Sequence, residues 1–84
     1  MYDNLIKQYI NKLDNQMVIE LCQKKEININ EKEADTLLKY TKKYWEIFYR
    51  GDPSDIIKEL EQKINSQAFL QLKKLYIEYK NKIN

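Results

Sequence analysis

The acidic side chains are the part of this sequence that comes closest to a catalytic arrangement. Glu31 and Asp35 are four residues apart, and so are Asp55 and Glu59, which places each pair on one face of a helix. Two neighbouring carboxylates can serve as a general acid and a general base. Each pair also lies at the N-terminus of a predicted helix, where negative charge is favoured by the helix dipole. We therefore predict a structural role for both pairs.

The other reactive residue types are nearly absent. The chain has no histidine and one cysteine, Cys22, so it lacks the commonest general base, a Ser-His or Cys-His nucleophile and a zinc-binding cluster. The single glycine, Gly51, excludes a glycine-rich phosphate loop. Cys22 lies on a predicted apolar face, where a thiol is usually inert. The sequence predicts a protein that is not an enzyme, with no catalytic residue, metal, cofactor or small-molecule substrate.

Size and charge narrow the class of protein further. A chain of 84 residues is expected to form one domain, residues 1–84. Its 15 basic and 13 acidic side chains leave a net charge of +2, unlike a disordered polyanion or a strongly basic nucleic-acid-binding protein. The N-terminus does not resemble a signal peptide, and no apolar run is long enough to cross a membrane. These features, with a lone cysteine, predict a cytoplasmic protein without membrane contact.

The longest helical pattern runs from Glu31 to Arg50 and contains the only tryptophan. Its apolar side chains cover an arc of roughly 200°, whereas a helix buried on one side needs about 100°. Such a helix should be covered on two sides, so we predict that it is the central helix of the fold. Its predicted core anchors are Leu37, Leu38, Tyr44, Trp45 and Phe48.

Four further helices are predicted around it. The first covers residues 2–13, with Leu5 and Tyr9 in its apolar stripe, and the second covers residues 15–25, capped by Asp14 or Asn15. Asn30 and Glu33 form a predicted capping box for the central helix, which Gly51 ends.

The fourth and fifth helices complete the predicted fold. Asp52 should cap the fourth, with Pro53 at its first position. The fifth covers residues 67–82, with Ser66 as its cap and Leu72 and Leu75 as further core anchors. We predict an all-α fold, a compact bundle of about five helices around a long central third helix.

The last helix also carries the clearest signal for binding. Leu70 and Ile77 are seven residues apart and lie roughly opposite its core face, which places two apolar side chains on one outer stripe. The stripe could be a self-association seam, a partner groove or the underside of a more wrapped fold. Residues 56–84 hold six basic and three acidic side chains. The predicted partner-binding residues are Leu70, Lys73, Lys74, Ile77 and Lys80.

Nucleic acid is the alternative partner. Seven tyrosines, including Tyr2, could stack on bases, but their helical spacing favours the border of the core. The central helix is a poor recognition helix, because its first turns carry Glu31, Glu33 and Asp35, which phosphates repel. A weak, salt-sensitive contact between RNA and the basic last helix is the remaining possibility for a nucleic acid.

Four segments spread over nearly the whole chain combine helix faces with helix caps: Leu5-Ile6-x-x-Tyr9-Ile10-Asn11-Lys12-Leu13, Ile27-x-Ile29-x-x-x-Glu33-Ala34, Tyr44-Trp45-x-x-Phe48-Tyr49-x-Gly51-x-Pro53 and Tyr76-x-x-Tyr79-Lys80. In these segments the chain resembles a family of short, uncharacterised all-helical proteins from low-GC Gram-positive bacteria. This resemblance implies a small helical cytosolic protein and assigns no catalytic or binding residues.

The function expected from the sequence is that of a non-enzymatic interaction or regulatory protein. It would bind a protein partner, or a second copy of itself, through an amphipathic helix face. The alternative is an RNA- or ribosome-associated accessory protein that uses the basic C-terminal helix.

Overall fold

Five α-helices make up the part of the chain that the structure describes. The structure is a computed structural model that describes the backbone of residues 2–83 and the side chains of residues 3–82. The helices are α1 (Tyr2–Lys12), α2 (Asn15–Lys24), α3 (Glu31–Arg50), α4 (Ser54–Glu61) and α5 (Ser66–Ile83), and these residues form no strand. The predicted all-α bundle with a long third helix is therefore confirmed. Within residues 2–83, no helix has both the length and the apolar composition needed to cross a membrane.

The bundle is compact. Its radius of gyration is 12.3 Å, against the roughly 12 Å expected of a folded domain of this length. The connections between the helices are short, from two to six residues.

The starts of α2 and α3 follow the predicted capping chemistry. The Asp14 carboxylate accepts a hydrogen bond from the Met17 N–H at 2.8 Å. Asn30 Oδ1 accepts from the Glu33 N–H at 2.7 Å, and Glu33 Oε1 accepts from the Asn30 N–H at 3.0 Å, which completes a capping box. Both caps satisfy backbone donors that the helix itself cannot pair.

The starts of α4 and α5 differ from the prediction by one residue. Asp52 accepts from the Ser54 N–H at 3.1 Å, but Pro53 precedes the first helical residue instead of occupying it. The cap of α5 is Asn65 and not Ser66, because Asn65 Oδ1 accepts from the Ala68 N–H at 2.9 Å. Ser66 is the first residue of the helix.

The end of α2 contains the one residue between 2 and 83 that has a positive φ. Glu26 adopts φ 60°, a left-handed conformation that favours glycine. The Glu26 N–H donates to Gln23 O at 3.0 Å and the Ile27 N–H donates to Cys22 O at 2.8 Å, the hydrogen bonds of a Schellman motif. The motif turns the chain inward, so that Ile27 is only 1% exposed.

The buried cluster lies near α2, α4 and the start of α5, and not at the aromatic end of α3. Its members are Cys22, Ile27, Ile56, Leu60, Ile64, Ala68 and Phe69. The predicted core anchors on α3 therefore do not lie at the centre of the core, since α3 contributes a single fully buried residue, Ala34. A domain of this size has too little interior to enclose several large aromatic side chains completely.

Hydrogen bonds join α3 and α5 at both ends. The Glu33 carboxylate at the start of α3 accepts from the Asn65 N–H at 2.6 Å and from Asn65 Nδ2 at 3.1 Å. At the other end, the Tyr76 hydroxyl donates to Phe48 O at 2.7 Å, and Lys80 Nζ donates to Tyr49 O at 3.0 Å. The two helices therefore run parallel.

Helix α1 lies along the C-terminal half of α3 in the opposite direction. An ion pair joins Asp3, in the first turn of α1, to Arg50, in the last turn of α3. The chain then turns at the buried Leu13, directly before α2.

Replacing Glu26 by glycine should stabilise the fold. Glycine adopts a positive φ without the steric cost that other residues carry, so we expect Glu26→Gly to raise the free energy of unfolding by about 0.5–1 kcal/mol. Urea unfolding measures the change. The matched control is Lys25→Gly, at φ −102°, which should lower stability because the added flexibility benefits only the unfolded chain. A lower stability for Glu26→Gly would contradict the assigned conformation.

The stability should depend on the ionisation of Glu33. Burial raises the pKa of Glu33, but hydrogen bonds from the Asn30 and Asn65 backbone and from the Asn65 side chain outweigh it, and the pKa is lowered. A lowered pKa stabilises the folded state above the unfolded-state pKa of about 4.3 and loses that contribution as the pH falls through the folded-state pKa.

Glu33→Gln is therefore expected to cost about 1–2 kcal/mol at pH 7, with the difference from the parent protein shrinking below about pH 4. The measurement is urea unfolding at a series of pH values. The control is Glu31→Gln, which changes an exposed residue in the same helical turn. It should have little effect on the free energy of unfolding. A Glu33→Gln deficit that does not shrink at all as the pH falls below the unfolded-state pKa would refute the ionic origin.

Candidate functional site

The described residues form an apolar groove with a volume of about 600 Å³. It runs along the C-terminal half of α3, where α1 and α5 both contribute side chains. Its base reaches the edge of the buried cluster at Leu60, Ile64 and Phe69. Ligand sites in proteins commonly have this volume and a mostly apolar lining with few polar groups.

The α1 side of the groove leaves large apolar side chains open to solvent. Leu5 is 62% and Tyr9 is 51% exposed, and both line the groove. The neighbouring Ile6 and Ile10 are half-buried and line it as well. The sequence predicts these residues as the apolar stripe of the first helix, and the structure covers Ile6 and Ile10 in part while it leaves Leu5 and Tyr9 more than half exposed.

The wide apolar arc of α3 serves two surfaces. Tyr44 packs against the buried cluster, while Thr41, Trp45 and Tyr49 line the groove. Three residues pack against the buried cluster and also line the groove: Leu37, Tyr40 and Phe48. The sequence predicts that α3 is covered on two sides, but the structure leaves part of one side open at the groove.

The α5 side of the groove is held in place by Tyr76. Its ring meets the Phe48 ring edge to face, with 5.5 Å between centroids, and its hydroxyl donates to Phe48 O. Burial, with a smaller contribution from the negative charge of Asp52, raises the pKa of Tyr76. The hydroxyl therefore stays neutral and remains a donor at physiological pH. Tyr79, one turn before the end of the helix, is 58% exposed and also lines the groove.

The last carbonyls of α3 are paired by side chains of α5. A helix leaves its final C=O groups without partners of its own. Here the Gly51 N–H donates to Ile47 O at 2.8 Å. The Tyr76 hydroxyl donates to Phe48 O, and Lys80 Nζ donates to Tyr49 O. The positive charge of Lys80 also suits the negative end of the α3 dipole.

The five predicted partner-binding residues fall into three groups. Leu70 and Ile77 are 65% and 48% exposed on the outer side of α5 and do not line the groove. Lys74 is exposed there too. Lys73 is exposed and lines the groove, whereas the half-buried Lys80 is hydrogen-bonded to α3. The structure therefore does not place them on one continuous surface.

The predicted core anchors are half-buried and not fully buried. Leu37, Tyr44, Phe48, Leu72 and Leu75 pack against the buried cluster. Trp45 instead lines the groove, and Leu38 is half-buried outside that cluster.

The predicted border tyrosines show a similar range of burial. Tyr40, Tyr44, Tyr49 and Tyr76 are half-buried, as expected at the edge of a core. Tyr9 and Tyr79 are exposed. The side chain of Tyr2 lies outside the described residues.

The reactive groups considered from the sequence are in ordinary structural settings. A hydrogen bond from Lys39, 3.0 Å away, lowers the pKa of Asp35, so this carboxylate pairs with a cation and not with Glu31. Burial raises the pKa of the Cys22 thiol, which makes it a poor nucleophile. Among the described side chains, no three metal-binding residues come together.

Sequence reasoning did not identify the groove as a site. The available signal was the wide apolar arc of α3 together with the apolar stripe of α1, which leave contiguous apolar surface wherever no other element covers them.

Comparisons with protein-family models, with curated proteins and with solved structures find no match to this chain.

Lys73 and Lys80 should differ sharply in their effect on stability. Lys80→Met removes the donor to Tyr49 O and is expected to cost about 1–2 kcal/mol of unfolding free energy. Lys73→Met makes the same substitution two turns earlier on the same helix. Its free energy of unfolding should stay within about 0.5 kcal/mol of that of the parent protein. Urea unfolding at neutral pH makes the comparison. Equal effects of the two substitutions would contradict a structural role that is special to Lys80.

Proposed function

We propose that this chain is a non-enzymatic interaction protein of the cytoplasm that binds an apolar helix of a partner protein in the groove. The observation that carries the proposal is the exposure of Leu5, Tyr9 and Tyr79, each more than half accessible while lining one groove. Contiguous exposed apolar surface on a small protein is costly in water and commonly marks a site of contact with another molecule.

The shape of the groove favours a helix as the occupant. The groove follows the axis of α3, with α1 and α5 contributing side chains along it. A partner helix lying there would present apolar side chains at positions i, i+3, i+4 and i+7, the recurring mode of helix recognition in apolar grooves. Trp45, Tyr9 and Tyr79 would supply the large aromatic contacts that dominate binding energy at such interfaces.

The outer stripe of α5 is the weaker candidate surface. It contains two apolar residues, Leu70 and Ile77, on a convex helix face, and so offers less area to bury than the groove. The alternative of RNA binding is supported by the exposed lysines on α5. However, Lys80, one of the residues predicted to bind a partner, donates a hydrogen bond to the α3 backbone. Both alternatives are decided by the same experiment.

The experiment places a photo-crosslinking phenylalanine derivative at single positions and irradiates cells of the protein's own host. Tyr9 and Tyr79 are the groove positions, and replacing an aromatic ring by a larger one at an exposed site should leave the fold intact. Leu70 and Ile77 on the outer stripe are the matched control positions. Adducts are resolved by mass and the attached protein is identified by mass spectrometry, with and without nuclease treatment.

We expect one protein to be crosslinked from both groove positions and from neither control position. The same protein should then bind the purified chain, and Leu5→Glu should weaken that binding at least about tenfold, because a carboxylate would have to be desolvated in the interface. Crosslinking from Leu70 or Ile77 alone would show that the groove is not the site. Adducts lost on nuclease treatment would support RNA binding, and an adduct of two copies of this chain would support self-association.

A further inference from the structure

The charged groups of the groove all have the same sign. Of the described side chains that line it, the only ones charged at neutral pH are Lys73 and Lys80. None of the carboxylates among residues 3–82 lines the groove, although α5 carries Glu78 and the end of α3 carries Glu46. An occupant with negative charge beside its apolar surface is therefore favoured over a neutral or basic one.

The two lysines are not equally available to an occupant. Lys80 is half-buried, and its amine donates to Tyr49 O at 3.0 Å. Lys73 is exposed, and neither salt bridge found among the described residues, Asp35–Lys39 and Asp3–Arg50, involves it. Lys73 is therefore the group with which a bound partner can form a new ion pair.

The position of Lys73 on α5 puts this charge at the edge of the apolar wall. Phe69 and Tyr76, four residues before and three residues after it, occupy the same face of the helix and line the groove. Phe69 is buried and Tyr76 is half-buried, so a partner helix would contact mainly the Tyr76 ring and would bring a side chain on its flank next to the Lys73 amine. Apolar contact and charge recognition are thus adjacent at this place.

The same charges argue against a second copy of the chain as the occupant. The exposed apolar stripe that a second copy could offer, Leu70 and Ile77, is bordered by Lys73 and Lys74. Inserting that stripe would bring lysines of one copy against Lys73 of the other, and like charges across an interface disfavour the pairing.

We propose that the partner segment is an amphipathic helix with acidic residues flanking its apolar stripe, and that Lys73 selects it. This inference rests on the proposed function, since it specifies the partner of the same groove. Lys73 is a specificity residue that acts through charge, while the apolar lining provides most of the contact area.

Two synthetic peptides of about 18 residues, five helical turns, test the proposal. They share one apolar stripe of Leu and Ile, contain no tryptophan, and differ only at the flanking positions, which are Glu in one peptide and Lys in the other. Trp45 is the only tryptophan of the chain and lines the groove, so its fluorescence reports occupation directly. Titrations are done at low and at high salt.

We expect the acidic peptide to bind about five- to tenfold more tightly than the basic one at low salt. At about 0.5 M salt the difference should narrow, because exposed charges are screened. Lys73→Glu should reverse the preference. Lys74→Glu is the matched control, with the same charge change at the adjacent residue, which is exposed and does not line the groove; it should leave the preference nearly unchanged.

The possible failures are distinguishable. Equal binding of the two peptides, or equal effects of Lys73→Glu and Lys74→Glu, would overturn the role of Lys73 and leave the groove as a helix-binding site. Binding of neither peptide would overturn the helix-binding groove itself, and with it the proposed function. A change of Trp45 fluorescence that Leu5→Glu does not weaken would place the peptide outside the groove and would also count against both.

Discussion

The hydrogen bonds between the Glu33 carboxylate and Asn65 are the interaction on which the arrangement of this bundle most depends. They join the start of α3 to the start of α5, and Asn65 Nδ2 also donates to Asn28 O at 3.2 Å. The Glu33 carboxylate thus also completes the capping box of α3. Asn65 caps α5 and at the same time holds the connector between α2 and α3 in place. Fixing the start of α5 at this point directs the rest of that helix along α3, where Tyr76 and Lys80 reach the last carbonyls of α3.

This parallel pairing determines where the groove can form. Helix α4 begins at Ser54, shortly after the end of α3, and contributes Ile57 and Leu60 to the lining of the groove. Helix α1 approaches that end from the opposite direction and contributes Leu5 and Tyr9 to the lining. Between α1 and α5 the described residues leave the groove, along which Leu5, Tyr9 and Tyr79 are exposed. The proposed helical partner would cover these side chains.

Local features of the fold could be predicted from the sequence, whereas the features that depend on distant residues could not. The helices and the capping box at Asn30 and Glu33 follow from periodicity and from contacts three residues apart. The cap of α5 was assigned to Ser66 because nothing local distinguishes it from Asn65, which Glu33 holds from 32 residues away. Likewise, Leu5 and Leu70 both belong to apolar stripes, and only the tertiary arrangement shows that the groove adjoins the first and not the second.

The way in which α1 is attached to the bundle determines how readily this helix unfolds locally. The helix is held by its turn at Leu13, by the half-buried Ile6 and Ile10 and by one exposed ion pair, whereas α3 and α5 are bonded at both ends. Local unfolding begins where few apolar contacts protect the backbone, so α1 is the segment that can separate while the remainder stays folded. A molecule that contacts both α1 and α5 would suppress this opening, and part of its binding free energy would be spent on the conformational entropy of ordering α1.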